Sequence, residues 1–387
     1  MKTAEIQSKL FSVLLPTRNG GEFLDNCIRS ILDNKRDDIE LVVSDNANTD
    51  ATSQVLEAWA HDQRLKVIRQ QTVLSVTDNW NAALNASVGQ YVLMMGDDDY
   101  LLPGYFEAMS RLIDQHQQPD CILYNALSYV APGSIGEDQQ SYYGTKHFKY
   151  GVDLTKPQIL DAQFRKKIVE DMFDFKVRIP LNMQTTLVKR ASGMGIAGGL
   201  FQPPFPDHFA LNAMLLTCER WLFSPEAFVV VGISPKSFGH YVYSQKQQSG
   251  LDYLGITADF EGRLPGNELL NGMHVWLNML KRAYPKHTQG IEINRVGYVR
   301  RQLYAWLMQC RLGALTYGQL CLRVAKLPFA DKLGLLGTLM NIESWRRLTK
   351  MFRLNKQDEV AQQWQGLIPL KDIKNIAEFV HWHNHQS

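Results

Sequence analysis

Residues 91–103 read YVLMMGDDDYLLP. An apolar run of strand character over 91–95 leads straight into Gly96 and three consecutive aspartates, Asp97, Asp98 and Asp99. Three adjacent carboxylates repel one another, and a helix N-cap needs only one. A hard divalent cation relieves that repulsion, because Mg²⁺ and Mn²⁺ take oxygen ligands and share them with substrate phosphates. The plainer alternative is a solvated acidic loop ahead of a helix over 105–116, with Pro103 at its first position. In open α/β sheets, ligands bind beyond the carboxyl ends of the strands, and this cluster lies at such an end.

Two upstream segments end in the same way. A strand predicted over 11–15 runs into Pro16, Thr17, Arg18 and Asn19, then Gly20-Gly21. That turn and Arg18 suit an anionic ligand, or simply join strand to helix. A second strand over 40–43 is followed by Asp45, placed to accept from a base or ribose, or to form an Asx turn ahead of an Asp50 helix cap. Helices are predicted over 22–32, 51–60 and 77–88, the last with Gly89 as its C-cap, and further strands over 65–68 and 121–124. Strands alternating with helices of ten to twelve residues specify α/β architecture: a mixed, mostly parallel Rossmann-like sheet flanked by helices. Neither GxGxxG nor GxxxxGK[ST] occurs, which argues against a dinucleotide site and a P-loop ATP site.

From about residue 130 the regularity breaks. Residues 131–155 read as loop, 157–173 as helical, 184–188 as strand, 207–218 as helix and 227–233 as strand. From about 250 the pattern is helical: 274–284, 294–311, 316–325, 331–340 and 344–353 carry apolar residues at three- and four-residue spacing. The expected organisation is a catalytic domain over 1–250, with halves 10–125 and 126–250, followed by a basic helical region over 251–387.

Composition narrows the classes. The chain has 387 residues, 45% of them hydrophobic, and a net charge of +2, which excludes global disorder. Five scattered cysteines form neither a disulfide framework nor a zinc site. The N-terminus has no signal-peptide pattern and no apolar run approaches 18 residues, so a cytoplasmic location is expected. The small net charge conceals an asymmetry. Residues 281–356 hold fifteen Lys or Arg and three acidic residues, a net of +12 against −10 elsewhere. With Trp306, Trp345 and Phe352 interleaved, that region suits peripheral contact with the inner face of a membrane. A groove for an anionic glycan or partner subunit and a merely solvated basic face are the alternatives; no motif supports nucleic acid.

The stretches FSVLLPTRNGGEFLDNCIRSIL, ELVVSDNANTDAT and NWNAALNASVGQYVLMMGDDDYLLPG, in that order and spacing, resemble glycosyltransferase family 2, the inverting sugar-nucleotide enzymes of GT-A fold. The resemblance covers about a third of the chain and continues thinly through PFPDHFALNAMLL. It implies a nucleotide pocket lined by Pro16, Thr17, Arg18 and Asn19, with Asp45 on the base and Asn81 nearby. Trp80 stands where the family commonly has Arg. GDDD corresponds to the DXD motif, with Asp97 on ribose and Asp98 and Asp99 toward a metal, Mn²⁺ or Mg²⁺. Asp207 corresponds to the catalytic base and His208 to a neighbour shaping the acceptor site. Lys236 and His240 correspond to groups over the diphosphate, His240 as a further metal ligand. The implied reaction moves a sugar from a nucleoside-diphosphate donor to a hydroxyl of a glycan or lipid-linked acceptor, in surface polysaccharide or glycoconjugate synthesis. A metal-dependent nucleotidyltransferase and a non-catalytic sugar-nucleotide-binding subunit are the competing readings.

Overall fold

The computed structural model describes residues 9–134, 140–146, 148, 150–176, 182–237, 260–311, 313–339, 345 and 367–386. Its centre is one mixed sheet. Strands β1 (Phe11–Thr17), β2 (Ile39–Asp45), β3 (Leu65–Arg69) and β4 (Tyr91–Met94) lie parallel in the order β3-β2-β1-β4. Helices α1 (Gly21–Leu32), α2 (Thr52–Ala58) and α3 (Val76–Ala86) connect them. β1, β2 and β4 are buried on both faces because helices cover both, as parallel sheets require.

Downstream come β5 (Tyr100–Leu101), α4 (Tyr105–Gln115), β6 (Cys121–Val130), β7 (Ser141–Lys146) and β8 (Gln158–Leu160). Next are α5 (Ala162–Phe173), β9 (Thr186–Lys189), α6 (Arg190–Met194), α7 (Pro206–Thr217) and β10 (Trp221–Ile233). β9 is antiparallel to both β4 and β6, so it reverses the sheet direction between two strands that run the same way. β10 then runs parallel to β6 along its whole length.

Several local expectations change. Gly89 is not a cap: α3 ends at Ala86, with Ser87 as its extended C-cap. Gly89 instead lies against β1, where a Cβ would come within 2.6 Å of the Ser12 nitrogen. Pro103 precedes the left-handed N-cap Gly104 rather than starting α4. Asp50 sits one residue before the α2 cap, and its carboxylate accepts from Thr52 N (3.1 Å) and Gly21 N (3.0 Å), joining two helix starts. The presumed loop over 131–155 contains β7, and β8 precedes α5.

Beyond 260 come α8 (Glu268–Ala283), α9 (Arg295–Arg311), α10 (Tyr317–Ala325) and α11 (Phe329–Leu339), close to the predicted helices. The helix predicted over 344–353, with Phe352, lies outside the described residues apart from Trp345. Trp276, Tyr298 and Trp306 share one apolar cluster with Phe209, Leu211 and Trp221, so the basic helices pack on the sheet domain's own core. Trp306 is wholly buried, which removes it from any surface role. The chain then returns to the sheet: β11 (Ile368–Leu370) pairs antiparallel with β7, and α12 (Ile376–Asn384) buries Phe379 and Val380 against Leu127 and Tyr129 of β6.

Candidate active site

The carboxyl ends of β1, β2 and β4 bring the predicted residues together. Thr17 Oγ1 at the end of β1 donates to Asp97 Oδ2 beyond β4 (2.6 Å). Asp97 fits there because residue 20 is glycine: a Cβ on Gly20 would lie 1.8 Å from Asp97 Oδ2. Burial, reinforced by the neighbouring Asp98 charge, pushes the Asp97 carboxyl up to about 7, against the lowering effect of Thr17 and Lys236.

The loop carrying the aspartates is clamped by β10. Asp99 is 1% exposed; its Oδ1 accepts from Gly232 N (2.9 Å) and its Oδ2 from Gly96 N (2.6 Å). That geometry lets Asp99 hold the loop against β10. Ser237 Oγ donates to Asp98 Oδ2 (3.0 Å), and Lys236 Nζ donates to the Asn19 carbonyl. The Cys27 thiol, donating to the Gly96 carbonyl (3.3 Å), is pushed up by burial and by the three nearby aspartates.

Around the first turn, Arg18 Nη1 donates to the Ala47 carbonyl (2.6 Å), and Asn19 Oδ1 accepts from Thr49 N (2.9 Å). Asn19 and Ala47 both have positive φ, 56° and 49°, so the β1–α1 and β2–α2 turns curl against each other. Pro16 pairs in register with Ser44. Asp45 is 4% exposed and accepts from Asn48 Nδ2 (2.7 Å) and Arg69 Nη1 (3.1 Å). Its carboxylate is thus oriented at the strand end.

Asn81 and Asp207 make their contacts with other segments. Asn81 Nδ2 donates to the Phe201 carbonyl (3.0 Å), and Trp80 meets the Phe201 ring edge-on. Asn81 therefore supports the segment leading into α7. Asp207 is the second residue of α7, after Pro206, and its Oδ1 accepts from His208 N (2.9 Å). His208 packs against Trp276, its ring pushed toward the neutral form by burial and its Nδ1 without a partner. His240 lies outside the described residues.

A cleft of about 90 Å³ opens beside Asp98, lined also by Glu22, Asn26, Ser234, Lys374 and Asn375. Lys374 and Asn375, at the start of α12, went unrecognised in the sequence because nothing local to them signals a site. Only the return of the chain along β7 brings them to the aspartates. Among the described residues, no three His, Cys, Asp or Glu side chains gather as a ready-made metal centre, and no helix is long and apolar enough to cross a membrane.

Residues 12–165 match the family model described as Glycosyl transferase family 2. The similarity to that family is confined to this span, less than half of the chain. The matched region contains the ends of β1 and β2, the latter bearing Asp45, and the whole GDDD loop. Among similar proteins, glycosyltransferase GlyG of Streptococcus pneumoniae is 25% identical over 123 residues, 32% of this chain and 40% of that protein. The GalNAc(5)-diNAcBac-PP-undecaprenol beta-1,3-glucosyltransferase of Campylobacter jejuni is 26% identical over 155 residues, 40% of this chain and 48% of that protein. The chain thus spans less than half the length of these relatives. Residues 1–349 of Staphylococcus aureus TarS in complex with UDP-GlcNAc superpose with a TM-score of 0.47 at 16% identity, covering 89% of this chain and 91% of that one.

Proposed function

We propose that the protein transfers a sugar from a nucleoside-diphosphate donor to a hydroxyl of a glycan or lipid-linked acceptor, with inversion at the anomeric carbon. The observation that carries this reading is the Thr17–Asp97 hydrogen bond of 2.6 Å, which joins the ends of β1 and β4 beside Asp45. The match of residues 12–165 to the family model supports it, as does similarity to a Campylobacter glucosyltransferase named for an undecaprenol-linked glycan.

In this reading the Pro16–Asn19 turn and Asp45 hold the nucleoside, Asp45 as acceptor toward the base and Asp97 toward ribose. Lys236 and Arg18 supply positive charge near the diphosphate. The acidic loop fits a divalent cation: Asp97 and Asp98 crowd negative charge that Lys236 offsets only in part, and Asp98 borders the cleft. Asp98, with Asp97 beside it and His240 as a further ligand, would hold Mn²⁺ or Mg²⁺, whose charge stabilises a departing diphosphate. Asp207 takes the proton of the acceptor hydroxyl while that oxygen bonds to the anomeric carbon. The bond from carbon to diphosphate breaks on the opposite face, and the nucleoside diphosphate leaves with the electron pair. Asp207 stands in the first turn of α7, where its Oδ1 accepts from the His208 N–H.

The deciding assay is release of nucleoside diphosphate from a panel of sugar nucleotides with Mn²⁺ or Mg²⁺. Wild-type protein should turn over with at least one donor, and Asp98→Ala should lose about a hundredfold or more of that rate. No turnover with any donor, or full activity in Asp98→Ala, overturns the reading.

A further inference from the structure

Two consecutive helices of the basic region turn apolar faces outward. On α11, Phe329, Leu333 and Leu336 stand four and three residues apart along one side and are 80%, 57% and 58% exposed. On α10, Tyr317 and Leu322 are each 63% exposed. Their opposite sides are anchored. Asp331 is buried and paired with Arg295 of α9 (2.6 Å). Gly334 lies so close to α9 that a Cβ would sit 2.8 Å from Val296 Cγ2. Leu320 and Leu327 are buried. The exposed side is therefore a fixed surface, held by the packing of the other side.

Its electrostatic setting identifies the occupant. Residues 281–339 contain ten Lys or Arg and two acidic residues, Glu292 and Asp331. Both acids are already paired, Glu292 with Lys281 (2.6 Å) and Asp331 with Arg295. Asp331 is the one carboxylate in the sequence from 313 to 339, so nothing acidic shares the exposed faces, while Lys326 is exposed between the two helices. A second copy docking through the same face would set like charges against each other. A surface of anionic headgroups over hydrocarbon satisfies both the cations and the apolar stripe.

We propose that the outward faces of α10 and α11 are a docking surface for an anionic membrane, with Phe329, Leu333 and Leu336 entering the headgroup boundary and Lys326 meeting the phosphates. This contact lies along the surface, since no described helix is suited to crossing. It is independent of the transfer reaction and uses none of the residues assigned to it.

The test is sedimentation of the full chain with vesicles of phosphatidylcholine alone, or mixed with phosphatidylglycerol. Wild-type protein should sediment with the anionic vesicles at low salt and only weakly with the neutral ones. The double variant Phe329→Ser, Leu333→Ser should bind about tenfold or more weakly, and Lys326→Glu about tenfold more weakly. All three changed positions are exposed, and circular dichroism checks that the variants remain folded. Failure of the wild type to bind either vesicle at low salt, or undiminished binding by the folded double variant, overturns the proposal. So does a dimer seen by light scattering that the double variant converts to monomer without any vesicle binding, which would assign the face to a second copy. No sugar nucleotide enters the assay, so its failure leaves the transfer reading standing, and absence of turnover leaves this proposal standing.

Discussion

Asp97 and Asp99 are neighbours in sequence with opposite fates. Asp99 faces two backbone N–H donors, which make its charge part of the loop's hydrogen bonding. Asp97 meets the Thr17 hydroxyl and the Asp98 carboxylate, so its charge is only partly compensated. A carboxyl raised to about 7 in the folded chain stabilises the fold fully below its unfolded pKa near 3.8 and loses that contribution as pH rises through 7. In metal-free buffer, Asp97→Asn should therefore match the wild type at pH 4 and exceed it at pH 8, by on the order of 2 kcal/mol. Thermal melts of both proteins across that range check this; a gap that stays constant with pH refutes it. The GDDD string was legible as an unusual concentration of charge. Which aspartate faces a donor depends on the approach of β10, 130 residues downstream, and no local pattern encodes that.

Among the elements, β1, β2 and β4 were readable because they are short apolar runs ending in polar turns. β6 and β10 proved longer than their apolar cores suggested. In β6, Asn125 and Ser128 resemble loop residues, yet Asn125 is buried, with its Nδ2 donating to the Pro225 carbonyl (2.6 Å) and its Oδ1 accepting from Phe148 N (2.7 Å). In β10, the ladder shifts register between Ser224 and Val229, which breaks the apolar periodity around Pro225 and Glu226. β10 also approaches the aspartate loop closely: a Cβ on Gly232 would lie 1.8 Å from the Asp98 carbonyl oxygen. Gly232→Ala should displace that loop, lowering stability by about 2 kcal/mol and weakening donor binding together. A melt and a calorimetric titration with a sugar nucleotide measure the two effects. Unchanged binding in the folded variant would show that the clamp does not position Asp98.

At the scale of the molecule, the final segment completes the sheet domain. Leu370, Ile376, Phe379 and Val380 are buried against β6, β7 and their neighbours. At about 2 kcal/mol for each buried side chain, removal of 367–387 should cost several kcal/mol and leave β7 as an exposed edge. The truncated chain should melt far below the full chain or aggregate, measured by thermal melts and light scattering; an unchanged melting temperature refutes that dependence. The sequence by itself determined the alternating α/β order, the polar ends of the central strands, the helical character of most of the region after 260, and its positive charge. Each of these follows from spacing and composition within a window of a few turns. Tertiary structure alone decided that the basic helices share the sheet domain's core, that Trp306 is inside while Phe329 is outside, and that Lys374 borders the same cleft as Asp98. Those outcomes depend on which faces meet across hundreds of residues, where packing and the pairing of buried charge override local pattern.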